Sequence, residues 1–309
     1  MTGTVAECAV AAHQLAVRVS RWLDAAREYF ALPTDSAPDQ LHPDEDMKPL
    51  GELVLAASIA VREGATSSQQ VQIARALIEF AWQQLRSGQV LYELQCKQPV
   101  ETYPMEIYAC FVRAGYRHQR LDELLTHLSG LRAARVPEVI PSRALAVWNA
   151  ERLIGLSQHD DVAALTARTW LGGTPEPWAP DFFTQYAMTH TVFHLTDWGA
   201  RSDGVPVHLQ TYLHAWLPAW LEVYLEANQW DLVGELLAMD SCLTEPNYYP
   251  HAWEALVHAQ QPDGLLPAGP ERVSQEMAKT FRKHYHPTLV AMIAGTLAVS
   301  RIAVSRPGD

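Results

Sequence analysis

The chain has 309 residues, 48% of them hydrophobic, with a net charge of -12 and a pI near 5.5. That balance, with no run of Lys and Arg, argues against nucleic acid and against an anionic membrane surface, since both require clustered cations. Cys8, Cys96, Cys110 and Cys242 are too scattered for a disulfide framework, and neither a signal-like start nor a stretch of about 18 unbroken apolar residues occurs, so a cytoplasmic home and no bilayer span are expected.

Helical periodicity dominates, and alternation of strand type is nearly absent. The pattern predicts a first helix over Val5–Phe30, then a breaker-rich stretch, Pro33-Thr-Asp-Ser-Ala-Pro-Asp-Gln-Leu-His-Pro43. That stretch marks a Pro/Asp-rich connector, or a lid, near 31–48. Further helices are predicted over 49–63, 68–86, 103–114, 121–131, 141–155, 161–171, 180–198, 207–227, 230–239, 246–260 and 271–304. Ser67, Asp160, Pro141 and Pro180 are start signals, and Gly88, Gly115, Gly155, Gly172 and Gly199 are stops. Pro218 should kink its helix.

About twelve helices with short connections imply antiparallel hairpins. The predicted fold is all-α, one domain over 1–309, arranged as an α/α toroid of about six hairpins. An irregular helical stack or solenoid is the alternative. In a toroid the inner helices meet other helices behind and a cavity in front. They should therefore be apolar nearly all round, as 182–198 and 287–299 are.

The stretch Met188-Thr-His-Thr-Val-Phe-His-Leu-Thr-Asp-Trp-Gly199 is the sharpest functional signal. His190, His194 and Asp197 share one face of an otherwise apolar helix. Burying them is costly unless water, metal, substrate or neighbouring groups satisfy them. His190 and His194 suit proton transfer, with Asp197 orienting one of them and His286 facing them across a cavity. Paired core histidines are the other reading. Two histidines four apart also suit a metal, but Thr191 stands where a metalloprotease would carry Glu. Tyr186, Trp198, Tyr248, Tyr249, Trp253 and Tyr285 are candidates for an aromatic wall around a substrate, although gap-filling between helices accounts for aromatic residues equally well.

Three resemblances bear on these residues. Ala252-Trp-Glu-Ala-Leu-Val-His-Ala-Gln-Gln-Pro-Asp-Gly264, with a fainter echo at Leu91–Pro99, resembles the helix-plus-turn units of squalene-cyclase-like toroids. Asp240-Ser-Cys242 followed by Tyr285-His286 resembles the zinc ligands of protein prenyltransferase β subunits, which are also α/α toroids. That resemblance implies a possible zinc ion held by Asp240, Cys242 and His286. The segments Thr189–Gly199 and Tyr285–Ala291 look like those of uncharacterised actinobacterial proteins found beside antibiotic biosynthesis genes, which implies secondary metabolism. The DxDD and DDxxD motifs of terpene cyclases and the Cys-His pair of lanthionine cyclases are missing.

The resulting expectation is an enzyme of bacterial natural-product biosynthesis. It would bind a largely apolar small molecule or peptide in a central cavity and carry out acid–base or zinc-assisted cyclisation, elimination or group transfer. A non-catalytic binding or carrier protein of the same fold is the alternative.

Overall fold

The computed structural model describes residues 4–34, 36–136 and 138–305; the first three residues, Asp35, Pro137 and the last four lie outside it. Among the described residues the chain is all-helical. The helices are α1 (Val5–Ala25), α2 (Lys48–Glu63), α3 (Ser68–Gln84), α4 (Gln89–Lys97), α5 (Tyr103–Arg113), α6 (Gln119–Ser129) and α7 (Pro141–Ile154). They continue with α8 (Val162–Ala167), α9 (Phe182–Thr196), α10 (Val207–Glu226), α11 (Trp230–Cys242), α12 (Pro250–Ala259) and α13 (Met277–Ser305).

Local chemistry sets most of the boundaries. Thr4 opens α1 through a reciprocal capping box with Glu7, and the side chains of Ser67, Asp161 and Asp181 accept first-turn amides. Gly64 and Gly155 close α2 and α7 in the left-handed conformation. Several boundaries differ from the sequence pattern. Residues 89–97 form a helix where the pattern suggested only a degraded repeat. The cap before α8 is Asp161 rather than Asp160. α9 stops at Thr196 because Asp197 and Trp198 both turn left-handed. α10 runs through Pro218 within its predicted span, and α13 begins at Met277 rather than at 271, with His286 and Pro287 inside it.

Two sets of helices emerge from their packing. α2, α5, α7, α9, α11 and α13 touch one another in that order, and α13 packs back on α2, so the contacts close a ring. α1, α3, α8, α10 and α12 pack behind this ring, with α4 and α6 against α5 and each other. Buried side chains such as Leu53, Phe111, Leu145, Val192, Leu236 and Leu297 fill the space between the layers. Each fully buried Leu or Phe of this kind contributes about 1.5–3 kcal/mol of transfer free energy. The α1–α13 seam is tight: a Cβ on Gly295 would stand 2.7 Å from the Ala12 carbonyl oxygen, so only glycine allows that approach.

α13 is long and apolar enough to cross a bilayer, but 72% of its most apolar stretch is buried inside the protein. The connector before α2 is anchored by buried Leu32, Leu41 and Met47 and by an ion pair from Asp39 to Lys97 at 2.8 Å.

Candidate active site at one end of the ring

The first three turns of the inner helices supply a cluster of ionisable groups. Glu52 comes from α2, Tyr186 and His190 from α9, Asp231 and Glu235 from α11, and Tyr285 and His286 from α13. His286 is the hub. Its Nδ1 lies 3.1 Å from Glu52, and its Nε2 lies 3.7 Å from Asp231 Oδ1 and 3.8 Å from Glu235 Oε1. Burial alone would lower the pKa of this imidazole, but the three carboxylates outweigh it and push it up to about 10. His286 is therefore an imidazolium at neutral pH. The reciprocal effect is seen at Glu52, where burial raises the pKa but His286 and Lys48 more than offset it.

His190 is held differently. Its Nδ1 lies 2.8 Å from the Tyr186 carbonyl oxygen, which can only accept, so Nδ1 carries the proton. Among the described residues Nε2 takes no hydrogen bond, and in the neutral ring its lone pair is available to a proton. Glu235 Oε2 lies 3.6 Å from the same Nδ1 and accepts a hydrogen bond from the Thr189 hydroxyl. Glu235 thus stands between two imidazoles from different helices. Its side chain is 2% exposed, and burial, with Asp231 adding to it, raises its pKa against the pull of His190 and His286. Tyr186 donates to Asp231, and both Tyr186 and Tyr285 have raised pKa values, chiefly from burial. Both phenols therefore stay protonated.

Solvent reaches this cluster. The side chains of His190 and His286 are 36% and 28% exposed although helices surround them. Beside them on α5 and α7, Glu106 pairs with Arg143 at 2.6 Å. Asp231 Oδ1 is buried and, among the described residues, has no hydrogen-bond partner.

The other sequence-predicted residues fall elsewhere. Asp197 does not orient either histidine. It ends α9 at the opposite end of the ring, where Arg113 and Arg152 (2.9 Å) pair with it and Asn149 donates to it. Burial raises its pKa, but the two guanidiniums outweigh burial and hold it low. Arg62, Arg113 and Arg152 all sit in the last turns of inner helices, where cations complement the helix dipole. Arg62 also donates to the carbonyls of Asp197 and Trp198. This network forms the floor of the ring.

His194 lies between the two ends, its ring centroid 6.1 Å from that of His190. Burial first, then its neighbours His190, Arg143 and Arg113, lower its pKa well below the usual imidazole value. Unlike His286, it meets no carboxylate among the described residues.

The Asp240, Cys242 and His286 set is not brought together. Asp240 and Cys242 are two residues apart on α11 and so point about 200° apart. Asp240 accepts the backbone amides of Asn247 and Tyr248 at 3.1 and 2.9 Å. Cys242 is fully buried, and burial pushes its thiol up to about 12. These residues do not fit zinc, and among the described residues no three His, Cys, Asp or Glu side chains are grouped to hold a metal ion.

Of the six aromatic candidates, Tyr186 and Tyr285 belong to the site. Trp253 is 1% exposed and is core, and Tyr248 is buried. Trp198 is buried, stacks on Phe193 at 4.2 Å and sets its ring edge-on to His190 and His194, each 6.3 Å away between centroids. Tyr249 receives the Asn247 amide on its hydroxyl, next to the start of α12.

Sequence reasoning missed Glu52, Asp231, Glu235 and Thr189. The signal was present: Glu52 and Glu235 are lone acids inside Pro49–Ile59 and Leu232–Met239, and Asp231 precedes Glu235 by one turn. A lone carboxylate within an otherwise buried helix needs a partner in the same way as a histidine does.

A family model described as a domain of unknown function (DUF6895) matches residues 16–296. No curated protein and no solved structure matches the chain.

Proposed function

The chain belongs to the DUF6895 family, and we propose that it is an enzyme that binds a small molecule at the open end of its helical ring and moves a proton there. We read the closed ring of inner helices as an α/α toroid. The observation that carries the functional reading is Glu235, a buried carboxyl set between His190 and His286, with a His190 tautomer that leaves Nε2 free to accept. In this reading His190 Nε2 removes a proton from the substrate. Glu235 sits 3.6 Å from the ring and stabilises the imidazolium that forms. His286, already cationic, stabilises negative charge developing on the substrate, and the Tyr186 hydroxyl contributes a hydrogen bond beside it. Proton abstraction of this kind serves cyclisation, elimination and group transfer alike. Bacterial secondary metabolism in the cytoplasm is the setting we favour, on the resemblances at Thr189–Gly199 and Tyr285–Ala291.

The test is turnover in a mixture. The protein is incubated with a small-molecule extract of its host, and features consumed or formed are followed by mass spectrometry. His190→Ala and Glu235→Gln should each abolish the change while melting within a few degrees of wild type. If both variants turn over the same features at the wild-type rate, the assignment fails. If no feature changes but one is retained after gel filtration, the protein is a carrier and not an enzyme.

A further inference from the structure

A groove of about 520 Å³ opens beside this site, between the first turns of α7 and α9 and the segment that joins α8 to α9. Ile140, Trp170, Phe183 and Ala187 supply its apolar wall, and Arg168 and Thr184 are among its polar lining. Its volume lies within the range of small-molecule sites. Trp170 and Phe183 keep 55% and 80% of their surface in water. Large apolar side chains so exposed, and arranged around a concavity, mark a place where something apolar binds.

The groove's α9 wall shares a face with His190. Phe183 precedes His190 by seven residues, so it lies on nearly the same face of α9, about 10 Å nearer the open end. Ala187 is one turn before His190, about 4.5 Å along the axis. On the other wall Ser142 lines the groove, and the next residue, Arg143, pairs with Glu106 inside the ring. A molecule lying along this face of α9 points toward His190, one turn beyond the groove's last lining residue, Ala187.

The chemistry of that end is set by what lacks a partner. Three carboxylates, Glu52, Asp231 and Glu235, face the His286 imidazolium. Lys48 adds a cation 3.9 Å from Glu52, on the solvent side, while Arg143 is already paired with Glu106. Asp231 Oδ1, buried and without a hydrogen-bond partner among the described residues, is an acceptor in want of a donor. A carboxylate or phosphate head would meet a surplus of like charge, whereas an ammonium supplies both the donor and the charge.

We propose that the substrate is a small amphipathic amine, its apolar arm in the groove along Phe183 and Trp170 and its nitrogen at Asp231 and Glu235. This rests on the proton-transfer reading for what happens next, but binding can be measured without turnover. The probes are ethylamine, butylamine and hexylamine, with hexanoate as the anionic control, titrated calorimetrically into the wild-type protein. Burying each methylene is worth about fourfold in affinity at most, so two should tighten binding by roughly tenfold. Phe183→Ala should weaken hexylamine several-fold, and Ala187→Trp, which fills the groove, should remove the dependence on chain length. Phe183→Ala, about 10 Å from His190 along the helix, should leave the affinity of ethylamine unchanged.

No chain-length dependence in the wild type, or a dependence that survives Ala187→Trp, overturns the groove as the arm's site. Hexanoate binding as tightly as hexylamine overturns the amine head. A wild-type chain-length series as described, combined with no turnover of any metabolite, upholds the ligand class while removing the catalytic reading, so the two failures are distinct.

Discussion

Asp197→Ala separates scaffold from chemistry most cleanly. The Asp197 side chain is 8% exposed, and Arg113, its closest partner, is 6% exposed. Without the carboxylate, Arg113 keeps the Ser58 hydroxyl at 3.3 Å, and among the described residues its Nε lacks a partner. Arg152 retains the Asn149 oxygen at 3.0 Å and is more exposed, so its loss is smaller. An uncompensated buried guanidinium costs about 3–5 kcal/mol. At about 2–3 °C per kcal/mol for a large domain, the melting temperature should fall by roughly 6–15 °C. The acid limb should change as well. The folded-state pKa of Asp197 lies below its unfolded value, so its contribution is full above the ordinary carboxylate range and is lost as pH falls through the folded value. Asp197→Ala should therefore flatten the loss of stability on acidification. The second variant, Asp197→Ala with Arg113→Leu, should recover much of the deficit, because replacing a buried ion pair with apolar groups is often neutral. Differential scanning calorimetry across pH reads all of this. A single variant melting within a degree of wild type, or a double variant no better than the single, would refute the role assigned to the floor network.

Other expectations follow from the same physics. The His286 pKa is raised from 6.5 to about 10, so its stabilising effect is complete below the unfolded value and is lost as pH rises between the two; His286→Gln should remove that alkaline decline, and an unchanged pH–stability slope would contradict it. Gly264 has φ +105°, and a Cβ there would stand 2.2 Å from the Arg18 carbonyl oxygen; Gly264→Ala should cost about 1–3 kcal/mol in urea unfolding, and a neutral substitution would show that the contact yields. Thiol labelling of the native protein should modify Cys96, which is exposed, and leave Cys8 and Cys242 untouched until unfolding; rapid labelling of Cys242 would place it outside the core.

What the sequence determined by itself was set by local rules. Period-3.6 patterning, capping Ser, Thr and Asp, and C-terminal glycines placed most of the helices within a few residues, because each signal acts within one or two turns. The apolar helix carrying His190 and His194 was legible because imidazoles on an otherwise apolar helix contradict their surroundings. The partners were a different matter. Glu52 and His286 are separated by 234 residues and meet at 3.1 Å only because α13 packs on α2. The same ring closure carried Asp197 to the far end and gave it Arg113 and Arg152. Spacing along one helix fixes which side chains share a face. It says nothing of what faces them, and in this protein the packing of six helices into a ring decided which carboxylate each cation would meet.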